Sequence, residues 1–202
     1  MNMKYDEYMG FDSLVYAEVT EDSKETITFG EVKPFAPAGE IKKATPTEVA
    51  SRSYDNQTYL HIKHEGDDAV DLVVPILPLS IEADISGKDH DETTGVLMDD
   101  GDAKTKYFAI GYRLMFSDGT YRYVWRLKGT FTKGDEEAKS KEGTDSNNAT
   151  YTYNGIKTIH KFTKTGKPKK AMVADEKDGL LDYDKWFEQV VTPDNLDALK
   201  KA

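Results

Sequence analysis

Apolar and polar residues alternate most regularly over residues 105–131, and a period of two marks a strand with two distinct faces. Two such runs flank Asp118-Gly119. Gly and Asp tolerate the positive φ of a type I′ turn, so the pattern predicts a long hairpin closed by a two-residue loop. Counting outward from that loop sets Phe116 opposite Tyr121, Leu114 opposite Tyr123, Tyr112 opposite Trp125 and Ile110 opposite Leu127. That is a continuous aromatic and aliphatic face suited to a core. The other face then carries Arg113, Met115, Arg122, Arg126 and Lys128 beside Ala109 and Gly111, and is expected to meet solvent or another subunit.

A second hairpin is expected over residues 58–77, with residues 59–64 and 69–74 as its strands around a Glu65-Gly66-Asp67-Asp68 turn. Upstream, residues 14–19 and 26–29 read as strands around Asp22-Ser23, and residues 39–53 offer further extended chain. After Pro75 and Pro78, the apolar positions Leu79, Ile81, Ala83 and Ile85 fit a short helix closed by Gly87, although their alternation also fits a strand. Residues 94–98 supply a short strand, residues 133–148 read as a mobile polar loop, and residues 151–162 return as a strand. Residues 182–191 predict an amphipathic helix capped by Asp182 and ended before Pro193. The fold class is therefore mainly β, with a long hairpin, one short flanking helix and a C-terminal helix. Residues 1–165 form the β domain and 166–202 a C-terminal extension. No fixed-period repeat is present.

Composition narrows the functions. At 202 residues the chain can bury a core without staples, and its 11% aromatic content exceeds what a disordered chain carries. Cysteine is absent, which removes disulfides, thiolate metal sites and a cysteine nucleophile. No apolar run approaches the roughly 20 residues of a membrane-spanning helix, and the polar, acidic start does not read as a signal peptide. The formal charge of -10 opposes grip on a phosphate backbone. That charge is segregated. Between Glu65 and Asp102 twelve acids stand against one base, Lys88, whereas residues 157–170 hold six lysines and no acid. Such segregation suggests complementary surfaces that meet between subunits, against the plainer reading of two solvated faces.

Candidate chemistry is sparse. His61 and His64 beside Glu65 suggest a metal, but an offset of three on a strand sends the two rings to opposite faces. Asp89-His90-Asp91-Glu92 and Asp99-Asp100-Gly101-Asp102 lack the alternate spacing and terminal Glu of a calcium loop and read as acidic turns. Gly166-Lys167-Pro168 lacks the flanking residues of a phosphate loop and reads as a turn. Trp125 and the tyrosines of its ladder are core before they are a sugar platform. Among 37 acids some pair falls at glycosidase spacing by chance, so no general acid and base are assigned. No catalytic, cofactor-binding or metal residue is named, and the expectation is a protein that is not an enzyme.

Several segments, in order, resemble the major tail tube proteins of siphophages, the long-tailed phages with non-contractile tails. They are Ser53-Tyr54-Asp55-Asn56, similar to a short box before a strand; Leu72-Val73-Val74-Pro75-Ile76-Leu77-Pro78 leading into a short helix; Thr94-Gly95-Val96-Leu97 after an acidic loop; and Phe108-Ala109-Ile110-Gly111-Tyr112-Arg113 opening the long hairpin. The resemblance implies a tail-tube-type β-sandwich or barrel that polymerises into stacked hexameric rings, with one sheet of each subunit lining a channel through which genomic DNA passes without specific binding. It implies further partners in the tape measure protein, the tail terminator and distal tail proteins, and a place in the virion after assembly in the host cytoplasm, with no membrane and no cofactor. An acidic wall suits a sliding duplex because it does not hold phosphates. The alternative from another class is a monomeric β-sandwich that binds carbohydrate or serves as an adhesin, and a third is an acidic hydrolase.

Overall fold

The computed structural model describes residues 5–37, 39–135 and 148–201. Most of the loop expected at 133–148 lies outside them. The fold is mainly β. In chain order the elements are β1 (Tyr8–Asp22), β2 (Ile27–Phe29), β3 (Lys33–Pro34), β4 (Glu40–Ala44), β5 (Thr47–Tyr54), β6 (Gln57–Glu65), β7 (Asp68–Val74), the helix α1 (Leu79–Ser86), β8 (Asp89–Asp91), β9 (Val96–Met98), β10 (Phe108–Phe116), β11 (Tyr121–Lys133), β12 (Ala149–Gly155) and β13 (Ala171–Asp175). Nine strands form one antiparallel sheet in the order β2-β1-β10-β11-β12-β7-β4, with β3 added to β1 and β13 to β11. Two hairpins stand apart, β5–β6 and β8–β9.

The β10–β11 hairpin forms as its alternation predicts, but its register differs by one residue. Phe116 N–H bonds Thr120 O at 2.8 Å, leaving a three-residue loop in which Gly119 takes φ 83°. A glycine in the left-handed region is what a three-residue hairpin loop requires, so Asp118-Gly119 is satisfied by a different turn from the two-residue one expected. Leu114 consequently sits opposite Arg122, Tyr112 opposite Val124 and Gly111 opposite Trp125. Because side chains alternate, a slip of one sends the two halves of the expected aromatic ladder to opposite faces. Phe108, Ile110, Tyr112 and Val124 join one core with Leu14, Tyr16, Val70, Leu72, Tyr151 and Tyr153. Tyr123, Trp125 and Leu127 join a second core, on the other face, with Ala109, Phe162, Trp186, Val190 and Val191. A register shift near Leu127 then turns Phe131 back against the first core.

The face expected to carry free cations is covered too. Arg126 is buried and bonded to Asp68, and buried Lys128 meets Asp22 at 2.7 Å. Arg113 pairs with Asp12, and Arg122 with Asp175 at 2.6 and 2.8 Å. Each cation expected at a surface is neutralised by a carboxylate distant in sequence, as burial of charge demands.

The second expected hairpin is replaced by another. β6 pairs with β5, through Tyr54↔Gln57 to Thr47↔Glu65, and β7 instead enters the large sheet between β12 and β4. Asp55 and Asn56 both take positive φ, 50° and 63°, the conformation of a two-residue type I′ loop, so the tight turn lies there. The β1–β2 connection at Asp22-Ser23 forms as expected, with Ser23 N–H bonded to Thr26 O. Residues 79–86 resolve as the helix, begun after Pro78 and closed by Gly87 at φ 71°.

The C-terminal amphipathic helix does not form. Residues 183–185 make a 3-10 turn, and Asp182 makes no side-chain cap, its carboxylate pairing with Lys185. The carbonyl of Trp186, needed for a helical ladder, instead accepts the Trp125 indole N–H at 2.9 Å. Tyr183, Trp186, Val190 and Val191 thus lie flat on the sheet, and Gly111 gives them room: a Cβ there would stand 3.0 Å from the Phe187 ring and 2.9 Å from Val15.

Candidate functional site

The feature left over once the two cores are closed is the β5–β6 ribbon. All eight residues of β5 and all nine of β6 are exposed, and the ribbon packs substantially on no other described element. An isolated two-stranded hairpin is marginal in water, since neither face buries apolar area. Yet this one displays Val49, Tyr54, Tyr59, Leu60 and Ile62 to solvent, with Tyr59 81% exposed. Across the strands Ala50 faces Ile62 and Arg52 faces Leu60, a mixed apolar stripe, while Val49 faces Lys63 and Ser51 faces His61 on the other side. The Tyr54 and Tyr59 rings meet edge to face beside the tip, with centroids 6.0 Å apart.

The ribbon's root is polar and tightly tied. Asp68, 3% exposed at the start of β7, accepts from Thr45 Oγ1 at 2.7 Å, from Arg126 and from Lys170 Nζ at 3.1 Å, with Lys43 Nζ at 3.8 Å. Burial pushes its carboxyl up, but these donors outweigh burial and hold it below the ordinary carboxylate range. Lys170 Nζ also reaches Glu65 Oε1 at 2.8 Å and Gly66 O at 3.0 Å. The Glu65 carboxyl is lowered, chiefly by that bond.

A groove of about 640 Å³ opens beside this root, lined by Lys43 and Arg126 together with Phe11, Ile41, Leu114 and Val124. The residues set aside on sequence grounds fall apart in space. His61 Nδ1 lies 3.0 Å from Ser51 Oγ, and His64 lies across from Glu48. Asp91 accepts the Thr93 and Thr94 amides and Asp99 the Gly101 amide, local turns without convergence. Gly166, at φ 63°, donates to Phe162 O in a turn. Trp125 is fully buried.

The segregated charges are partly cancelled within the chain. Lys170 bridges to Glu65, Lys164 to Asp197, Asp84 to Lys33 and Lys106, Glu82 to Lys133, and Asp99 to Lys88. Exposed Lys157, Lys161 and Lys167 make no ion pair among the described residues, and neither do exposed Asp89, Glu92, Asp100 and Asp102. The acidic stretch contains Leu77 and Ile85, which pack on the first core, and the basic stretch is anchored by Phe162 in the second. The two stretches meet where Lys170 reaches Glu65 and Asp68. Sequence reasoning placed the interaction ribbon at residues 105–131. The Asp55-Asn56 pair, two residues tolerant of positive φ between strand-like runs, was the signal for the hairpin left exposed.

No family model and no curated protein matches the chain. Among solved structures it is similar to a chain of the cryo-EM structure of the anti-feeding prophage baseplate, 6-fold symmetrised, with a TM-score of 0.34 and 10% identity over 86% of this chain and 97% of that chain.

Proposed function

We propose that this chain is a structural, non-enzymatic subunit of a long-tailed phage that assembles with copies of itself, through the β5–β6 ribbon, into the stacked rings of a tail tube. The observation that carries the reading is the ribbon itself, a formed hairpin with apolar side chains on view and no described element packed substantially on either face. Exposed strand edges template pairing with other chains, and burying them in a partner removes that hazard. A ribbon projecting from one end of a body and seating on a different surface of the next copy makes a head-to-tail contact, which closes into rings or extends into filaments. Exposed acids at 89–102 and lysines at 157–167 without ion pairs among the described residues add opposite charges for such a contact. Six-membered rings, a DNA-conducting lumen and contacts with a tape measure, terminator and distal tail proteins are carried by the resemblance of the ordered segments from about Tyr54 to Phe131.

The test replaces residues 48–64 with a short Asn-Gly turn. The intact chain is expected to form rings or tubes at high concentration in negative-stain micrographs, and the shortened chain to stay monomeric with an unchanged thermal midpoint. An intact chain that stays monomeric at every concentration defeats the reading. If that monomer binds glycans and loses binding on Tyr54→Ala or Tyr59→Ala, the carbohydrate-binding alternative takes its place.

A further inference from the structure

Two crossings of the chain join the ribbon to the body, residues 44–47 and 65–68, and both converge on one place. Thr45, in the first crossing, donates to Asp68, and Gly66 N–H in the second donates to Pro46 O in the first at 2.9 Å. Lys170 arrives from a third direction, just before β13, and its ammonium is shared among Glu65, Gly66 O and Asp68. Its side chain is only 14% exposed, so these bonds are shielded from competing water.

We propose that Lys170 is a positioning residue that clamps the root of the ribbon, fixing the direction in which the ribbon leaves the body and thereby its competence to engage a second copy. This rests on the self-assembly reading above only for its second half. The clamp itself is a statement about the monomer.

The arrangement separates ribbon from core. Asp68 keeps Arg126, Thr45 and Lys43 as partners without Lys170, so the buried carboxylate remains compensated. The Glu65 carboxylate and the Gly66 carbonyl have no other hydrogen-bond partner among the described residues, and both belong to the ribbon's exit. Loss of the lysine therefore falls on the root and not on the sheet. Asp68→Asn would be a poor probe, because it weakens the partner of buried Arg126 as well. The groups facing the clamp are Arg126 from β11, Lys43 from β4, Glu65 from β6 and the Tyr112 hydroxyl, 3.3 Å from Arg126 Nε.

The experiment compares hydrogen exchange in the dilute full-length monomer for the native protein, Lys170→Met and Lys170→Arg. Lys170→Met is expected to speed exchange at the Gly66 amide and in β5–β6 by roughly tenfold or more, the scale of a lost hydrogen bond to a charged group. Exchange in β7 and β12 should not change, and Lys170→Arg should restore protection. The same Lys170→Met protein is expected to form tubes more slowly at equal concentration. Unchanged exchange at the root overturns the clamp, as does an equal rise throughout the sheet, which would mark Lys170 as a general stabiliser. Should Lys170→Met fail to fold, Glu65→Gln, which weakens only the ribbon-side acceptor, gives the same readout with a smaller rise. If the root loosens as expected while the native chain never polymerises, the clamp stands and the self-assembly reading falls.

Discussion

Two hairpins of this protein are built on the same plan and meet opposite fates. In β10–β11, cross-strand neighbours are backed on both faces, by the curled sheet with α1 on one side and by the flattened C-terminal segment on the other. In β5–β6 the strands are as well paired with each other, yet no second layer of described residues covers either face. The difference lies in what the rest of the chain supplies. Around β10–β11 distant carboxylates such as Asp12, Asp22, Asp68 and Asp175 come in to meet each cation, whereas Arg52 and Lys63 of the ribbon have no such partner among the described residues. A hairpin covered on both faces is a scaffold. One left bare while carrying tyrosines and aliphatics is the surface we propose for a second copy, and its root is where the two kinds of chain are fastened together.

The comparison breaks most visibly on truncating an aromatic in each hairpin. Trp125→Ala removes a fully buried ring and the indole bond to Trp186 O, and is expected to cost about 3–5 kcal/mol in denaturant unfolding. Tyr59→Ala removes an exposed ring and should change monomer stability by less than about 0.5 kcal/mol while lowering the yield of tubes. A comparable loss in both would show that the ribbon is part of the folding core.

A second contrast concerns charge. Reversal of the unpaired lysines, Lys157→Glu with Lys161→Glu and Lys167→Glu, should leave the monomer within about 0.5 kcal/mol of native and weaken tube formation, more so at low salt. Undiminished tubes at low ionic strength would reduce these lysines to a solvated face. The smallest effect expected is on acidification. The Glu65 and Asp68 carboxyls both lie below their free values of 4.5 and 3.8, so the order they lend the root is fully present above those values and is lost as pH falls through the lowered ones. Exchange at Gly66 should therefore rise on acidification before exchange in β10, which a pH series of the monomer would show.

Local chemistry in the sequence was enough for much of the fold. Alternation over residues 105–131 located β10 and β11, Asp22-Ser23 located the β1–β2 turn, and Pro78 with Gly87 bounded α1, because start and stop signals and side-chain period act within a few residues. Mainly β character followed from the same signals. Three decisions were made only by the folded chain. The register of β10–β11 depended on whether Gly119 closed a two- or a three-residue loop, and one residue of slip redistributed Tyr123, Trp125 and Leu127 to the far face. The partner of β6 depended on competition between β5 and β7, and β7 was claimed by β12 and β4 because Val70, Leu72 and Val74 bury more against the first core than against a ribbon. The C-terminal segment gave up its helix where burying Tyr183, Trp186, Val190 and Val191 on the second core was available, with the Trp186 carbonyl taken by the Trp125 indole. A period of two states that a strand has two faces, and only long-range burial decides which neighbour covers each of them, so the ribbon left uncovered had to await the tertiary structure.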